Sequence, residues 1–150
     1  MEVNMDKATV RAVCISDVKG VVKKPVPEIT VRINHGIEGD AHAGDWHRQV
    51  SLLADESVDK LRDRIPELSA GVFAENILTR GICLYELPVG TRLRIGKTLL
   101  EVTQIGKICH DSGCAIRKQT GDCVMPREGI FAIVIEEGVI KAGDDIAVEN

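Results

Sequence analysis

The sequence has few aromatic residues and no strong charge of either sign. Phe, Trp and Tyr make up 3% of the 150 residues, and the formal net charge is −4. Proteins that bind single-stranded nucleic acid stack bases on aromatic rings and present a positive surface, so both observations disfavour a nucleic-acid partner. With so few aromatic side chains, the core must be built from Val, Ile and Leu, and the β-branched members of that set favour strands.

Long apolar runs are also absent. No stretch approaches the roughly 20 apolar residues of a membrane-spanning helix, so we expect no membrane partner. The first ten residues, MEVNMDKATV, mix acidic and basic side chains before any apolar run, unlike a secretory signal. The odd number of cysteines, five, then predicts free thiols in a reducing cytoplasm. The length predicts a single domain over residues 1–150.

Short apolar segments between turn residues predict about seven to nine strands. One helix is predicted from Asp55 to Ile65, with Val58, Leu61 and Ile65 on its apolar face and Pro66 behind it. Strands do not alternate regularly with helices, so we predict a mainly β fold with minor α, an antiparallel, closed or partly closed β-barrel with one main helix. The predicted strands are Thr9–Ser16, Ile29–Asn34, Gln49–Leu53, Ile77–Leu78, Arg92–Ile95, Thr98–Gln104, Phe131–Glu136, Val139–Ile140 and Ile146–Val148.

Two segments are predicted to be loops. The first, GVVKKPVPE, contains Pro25 and Pro27, which cannot serve an interior strand ladder. The second, HGIEGDAHAGDWHRQ at residues 35–49, is too rich in glycine and polar side chains to form a regular element, and such loops often carry function. Asp40, His42 and His47 could supply three zinc ligands. The favoured interpretation is a tight loop in which Asp40 accepts hydrogen bonds from backbone donors.

Three of the five cysteines lie in the segment KICHDSGCAIRKQTGDCVMPREGIF, residues 107–131. Cations are frequent there, and a nearby cation lowers a thiol pKa and makes the nucleophilic thiolate available. The candidates for a reactive thiol are therefore Cys109, Cys114 and Cys123. Cys14 and Cys83 lie in or near apolar segments and are expected to be buried and inert. An alternative is a non-catalytic metal-binding or redox-sensing module built from Cys109, His110, Cys114 and Cys123, although their spacing matches no common zinc signature.

Several motifs, in this order, resemble the MOSC domain, which occurs at the C-terminus of molybdenum-cofactor sulfurases and as small free-standing bacterial proteins. The resemblance extends from about Ala12 to Val148. It rests on GIEGDAHAG with RQVSLL, then GVFAENILTRG, LPVGTRLRIG, LEVTQ and REGIFAIV. It implies a fold centred on a β-barrel, in agreement with the strand pattern.

The resemblance further implies that the chain binds the molybdenum cofactor, molybdopterin, as ligand or substrate, or another anionic small molecule that carries sulfur. A sulfur-donor or cofactor-biosynthesis protein is an implied partner. Cys109 follows the VTQ strand at the position to which the resemblance assigns sulfane sulfur. Whether the chain turns over as a sulfurtransferase, or only binds, is left open. The implied ligand-binding positions are Asp40, His42, Arg48, Glu75 and Asn76, and we expect them to line one cleft with Cys109.

A molybdopterin ligand carries phosphate and dithiolene, so its pocket needs cations and backbone donors. Lys107 and Arg127 lie in the cysteine segment and are candidates for the cations. The chain has Ile108 before Cys109 in place of the commoner proline, and it adds Cys114 and Cys123, which leaves open which thiol acts. The chain has no room for the pyridoxal-phosphate lobe of the full sulfurases, so no pyridoxal phosphate is expected.

Overall fold

The structure is a computed structural model, and it describes residues 8–18, 23–62, 70–71, 73, 75–106 and 128–149, without the side chains at positions 60 and 61. Within these residues, the chain forms eleven strands, one α-helix and a short 3-10 turn. Their bounds are β1 Thr9–Ile15, β2 Lys24–Val26, β3 Glu28–Arg32, β4 Gly36–Ile37, β5 Val50–Ala54, α1 Asp55–Arg62, β6 Ile77–Arg80, the 3-10 turn Leu84–Glu86, β7 Arg92–Ile95, β8 Thr98–Ile105, β9 Ile130–Glu136, β10 Gly138–Lys141 and β11 Ile146–Glu149.

Eight strands form one sheet in the order β11-β7-β8-β9-β5-β6-β1-β2, and β10-β3-β4 form a second sheet. Neighbouring strands are antiparallel except β5 and β6, which are parallel. That pair is parallel because α1 follows β5 directly and the chain crosses over before β6, as parallel neighbours require. The predicted mainly β fold with one main helix is confirmed.

The predicted barrel closure is wrong, because the large sheet keeps two edges, at β2 and β11. The start of β1, next to the edge strand β2, meets the segment before β11 through a bridge between Thr9 and Asp145 and through backbone hydrogen bonds such as that from Val10 N–H to the Asp144 carbonyl at 2.9 Å. Strand β2 has three residues, and one of them is Pro25, which has no N–H to offer a further strand. The sheet therefore stops growing there. The prediction that residues 20–28 form a loop is wrong at Lys24–Val26, which form β2. Pro25 does lie on an edge strand.

The small sheet covers the core with alternate residues of β3. Ile29 and Val31 are buried, as their period-two spacing predicts, and Ile37 of β4 is buried beside them. Ile33, predicted to share that face, is 47% exposed, because β3 ends at Arg32 and Asn34 turns the chain with a φ of 61°. The short strand β4 lies inside the segment predicted to have no regular element, so that prediction is wrong at residues 36–37.

Helix α1 packs on the large sheet through Val58, which is 1% exposed, as predicted. The predicted contacts of Leu61 and Ile65, and the predicted end of the helix near Pro66, lie outside the described residues. Asp55 is the first helical residue, as predicted, and its carboxylate pairs with Arg80 at 2.9 Å. This pair ties the start of α1 to the end of β6. No helix in the described part of the chain is long and apolar enough to cross a membrane.

Candidate functional site

Lys23 lies at the centre of a buried polar cluster, directly before β2. Its Nζ is 2.7 Å from Asp40 Oδ1 and 3.0 Å from His42 Nδ1. The side chains of Lys23 and Asp40 are 1% and 0% exposed, whereas that of His42 is 30% exposed. The cluster therefore runs from the interior at Asp40 to the surface at His42.

Asp40 organises the backbone around it, as the sequence predicts. The Ser16 backbone N–H donates to Oδ1 at 3.1 Å, and the His42 backbone N–H donates to Oδ2 at 3.1 Å. Burial raises the pKa of this carboxyl, but the hydrogen bonds from Lys23 and the two backbone donors, with the lysine charge, outweigh burial and hold the pKa below its usual value. Asp40 is therefore a buried carboxylate, paired with a buried ammonium.

Gly71 joins this cluster to the segment before β6. The Lys23 backbone N–H donates to the Gly71 carbonyl at 2.8 Å, and the Gly71 N–H donates to Glu75 Oε2 at 2.7 Å. Gly71 has a φ of +90°, and a Cβ placed on it would lie 2.0 Å from the Lys23 carbonyl oxygen. Only glycine fits this close approach of two backbones. One continuous chain of hydrogen bonds thus links Glu75, Gly71, Lys23, Asp40 and His42.

Glu75 is fully buried, and both of its carboxylate oxygens accept backbone hydrogen bonds. Phe73 N–H donates to Oε1 at 3.1 Å, in addition to the bond from Gly71. Burial raises the pKa of Glu75 to about 7, against these backbone hydrogen bonds, which lower it. The side chain is 0% exposed and holds the loop around Gly71.

Asn76 is also 0% exposed and joins three strands. Its Oδ1 accepts hydrogen bonds from the Ser51 backbone N–H at 3.0 Å and hydroxyl at 3.1 Å, and its Nδ2 donates to the Cys14 carbonyl at 3.1 Å. These contacts connect β1, β5 and the start of β6. Glu75 and Asn76 therefore lie beneath the loops, and His42 is the member of the hydrogen-bonded chain that reaches the surface.

Cys14 is buried, as predicted, and burial with the charge of Glu75 raises its thiol pKa to about 12, against the opposing charge of Lys23. Such a thiol is inert at neutral pH. Cys83 is exposed, so the prediction that it is buried is wrong. It comes directly before the 3-10 turn, where Leu84 occupies the buried position and leaves Cys83 outside.

Arg48 and His47 converge on the end of β8. Gln104 Oε1 accepts a hydrogen bond from Arg48 Nε at 3.2 Å and lies 2.9 Å from His47 Nε2. The Arg48 guanidinium carbon is 5.3 Å from the centre of the Phe131 ring, a cation–π contact. Gln104 Nε2 in turn donates to the Gly106 carbonyl at 2.7 Å. The half-buried Arg48 is thus fixed beside the last described residue before the cysteine segment.

The described residues on either side of positions 107–127 meet at this place. The Gly106 N–H donates to the Gly129 carbonyl at 2.6 Å, one residue before β9 begins. The predicted residues between these ends, Lys107, Cys109, His110, Cys114, Cys123 and Arg127, lie outside the described residues, and so does the predicted approach of Cys109 to Asn76. The alternative module built from Cys109, His110, Cys114 and Cys123 is likewise outside them.

No group of three or more His, Cys, Asp or Glu side chains that could hold a metal ion occurs in the described ranges. The possible ligand set of Asp40, His42 and His47 is therefore not assembled there, because Asp40 and His42 contact Lys23 whereas His47 contacts Gln104.

Two residues of this region were not among the sequence-predicted site residues. Lys23 lies in the segment predicted to be an exposed loop, and nothing in its local sequence indicates that it is buried two residues before Pro25 of the edge strand β2. Gln104 is the last residue of the LEVTQ motif, which is a signal for it, but its contacts with Arg48 and His47 depend on the pairing of β8 with β9.

A family profile for the MOSC domain matches residues 38–147. A search of curated protein sequences finds no match. Among solved structures, the YuaD protein from Bacillus subtilis is similar, with a TM-score of 0.77, 21% identity, and coverage of 93% of this chain and 94% of that one.

Two further solved structures are of proteins called YiiM. The one from Geobacillus stearothermophilus has a TM-score of 0.73 and 21% identity, covering 95% of this chain and 75% of its own. The one from Escherichia coli has a TM-score of 0.64 and 19% identity, covering 96% of this chain and 70% of its own. At these identities the likeness shows a shared fold.

Proposed function

This chain belongs to the MOSC domain family, a family associated with the molybdenum cofactor, and from that premise we propose that it binds the cofactor or another anionic, sulfur-bearing small molecule and carries sulfur on a cysteine of the segment 107–127. One observation supports this most directly. Arg48 is anchored to Gln104, and Gln104 is anchored to Gly106, where the cysteine segment begins. A cation is thereby fixed at the end of β8 from which the chain continues into the cysteine segment.

The donors of the described loop fit an anionic ligand. Arg48 presents a guanidinium, which binds phosphate with several donors in a fixed geometry, and His47 and His42 add imidazole nitrogens. The molybdenum cofactor would supply the phosphate and the dithiolene that such a site recognises. Lys107 and Arg127 are proposed as further cations. Asp40, Glu75 and Asn76, whose side chains are buried, are proposed to hold the binding loops in shape from beneath.

The proposed sulfur step uses a small-molecule persulfide, R–S–SH, as donor. The thiolate of Cys109 attacks the outer sulfur of the donor. A new S–S bond forms between the Cys109 sulfur and this outer sulfur, and the S–S bond of the donor breaks. The leaving R–S⁻ takes up a proton from water, and the cysteine is left as a persulfide. Cys114 or Cys123 is proposed as a resolving thiol when the segment is oxidised.

Mass spectrometry after incubation with a low-molecular-weight persulfide tests this function. We expect one added sulfur atom on Cys109 in the native chain, and no loading of that peptide in Cys109→Ser. Cys83→Ser is the matched control, because Cys83 is exposed and lies outside the proposed site. Cys14 is an internal reference that should stay unmodified while the protein is folded, since its pKa is raised to about 12.

Undiminished total loading in Cys109→Ser would move the assignment to Cys114 or Cys123. Absence of loading at all three positions would contradict the sulfur-carrier function. Zinc retained by the purified protein through dialysis would favour the metal-binding alternative instead.

A further inference from the structure

Lys23 has a feature that a structural ion pair does not need. Besides its bond to Asp40 Oδ1 at 2.7 Å, the same Nζ lies 3.0 Å from His42 Nδ1. An ammonium has three donors and no acceptor. Within hydrogen-bond distance of this ammonium, His42 Nδ1 must therefore act as the acceptor, which means that it carries no proton.

Lys23 and Asp40 form a buried ion pair. A buried carboxylate with a side chain 0% exposed is costly unless a cation neutralises it, and Lys23 is the cation within hydrogen-bond distance. Asp40 Oδ2 lies 3.8 Å from His42 Nδ1, which is farther than the lysine nitrogen and beyond hydrogen-bond range. Of these two contacts to Nδ1, the one from the lysine is the shorter.

We infer that Lys23 is a positioning residue for the ligand site: it fixes His42 as a neutral imidazole whose proton lies on Nε2. In this state Nε2–H is a donor with a set direction, suited to an acceptor such as a phosphate oxygen or a dithiolene sulfur. The inference rests on the proposed function for the identity of that acceptor, but not for the state of the ring.

The surrounding contacts hold the geometry on which this tautomer depends. The backbone of Lys23 is fixed by Gly71, and the backbone of His42 is fixed by Asp40. The His42 carbonyl also accepts a hydrogen bond from Trp46 Nε1 at 2.8 Å. Both the lysine and the imidazole are thus held from the main chain, and the contact between them does not depend on a mobile surface side chain.

The test is nitrogen-15 NMR of the histidine rings in the ligand-free protein near neutral pH. We expect His42 to show a protonated Nε2 and an unprotonated Nδ1 in the native chain. Lys23→Met should abolish this fixed pattern. Because that variant leaves a buried carboxylate unpaired and could fail to fold, the double variant Lys23→Met with Asp40→Asn removes both charges together. It should also lose the fixed Nε2–H pattern.

Lys23→Arg, which keeps a cationic donor, is expected to retain more of the native pattern than Lys23→Met. His35 and His47 provide internal references, since neither contacts Lys23 among the hydrogen bonds described, and their signals should not change. A protonated Nδ1 in the native chain, or a native pattern that survives in the double variant, would overturn the inference. The ring is measured without ligand, so this result is independent of whether persulfide loading succeeds.

Discussion

At the scale of the residue, burial and hydrogen bonds have opposite effects on the pKa of Glu75. Its two oxygens accept backbone N–H bonds, which favour the carboxylate, but full burial favours the protonated acid. The result is a pKa of about 7 against an ordinary value of 4.5. Between these two values the folded protein retains a proton that the unfolded chain has released.

This difference predicts how stability changes with pH. Because the folded pKa is raised, the contribution of Glu75 to stability is present below about 4.5 and is lost as pH rises toward about 7. We expect Glu75→Gln to remove this dependence. The amide NH2 cannot accept the backbone N–H that the hydroxyl oxygen of the protonated acid still accepts, so the variant should also be less stable by about 1–3 kcal/mol at low pH.

Urea unfolding of the native chain and Glu75→Gln at several pH values from 4.5 to 7.5 measures the effect. The difference in unfolding free energy between the native chain and the variant should shrink as pH rises, by up to roughly 3 kcal/mol across the window. The low pKa of Asp40 acts at more acidic pH and is common to both proteins, so it cancels in the difference. A difference in unfolding free energy that is constant with pH would show that Glu75 is ionised throughout.

At the scale of the element, strand β2 is attached to the fold by the backbone of Lys23 as well as by its pairing with β1. The residues Val13, Cys14 and Ile15 pair with β2, and the Lys23 N–H bonds Gly71 just before the strand begins. An added methyl group at Gly71 would meet the Lys23 carbonyl at 2.0 Å, and a backbone atom cannot move aside as a flexible side-chain end can.

Gly71→Ala is therefore expected to displace Lys23 and to destabilise the protein far more than backbone strain alone. Gly143→Ala is the matched control, because Gly143 has a φ of +96° with nothing within 4 Å of an added Cβ. The control should cost about 1–2 kcal/mol, the usual strain of a non-glycine residue in this region. Gly71→Ala should cost several kcal/mol or prevent folding. Equal losses of unfolding free energy in the two variants would contradict the proposed close packing.

The elements that the sequence predicts well are those in which local pattern and tertiary packing agree. The hairpin β7–β8 follows from two apolar segments around Gly96, which has a φ of 59°, and β3 follows from alternation. Strands β2 and β4 have three and two residues, too few to show a period. The open sheet was missed because closure depends on which edges pair, and residue alternation is the same in open and closed sheets.

The site divides in the same way. Asp40 was predictable as a backbone acceptor, since a short carboxylate between glycines commonly accepts such bonds. The burial of Lys23 was not, because lysine is almost never fully buried unless it is paired, and its partner lies 17 residues away. Cys83 was misassigned because local apolar composition does not state which of two adjacent residues, Cys83 or Leu84, faces the core.

At the scale of the whole molecule, two groups of contacts define the site. One is the hydrogen-bonded chain from Glu75 through Lys23 to His42, and the other is the contact of Arg48 and His47 with Gln104. The loop at residues 38–49 belongs to both, because it contains Asp40 and His42 near one end and Arg48 near the other. Family membership and this arrangement together support an anion site beside the cysteine segment.

Binding of purified molybdenum cofactor to the native chain, Arg48→Ala and Arg92→Ala tests this claim most directly. Arg92 is a matched control, because it is an arginine on β7 whose contact is an ion pair with Glu101 at 3.1 Å. We predict that the native chain and Arg92→Ala bind alike, and that Arg48→Ala binds at least about tenfold more weakly, equal to about 1.4 kcal/mol. Native affinity in Arg48→Ala, or no binding by the native chain, would contradict the account.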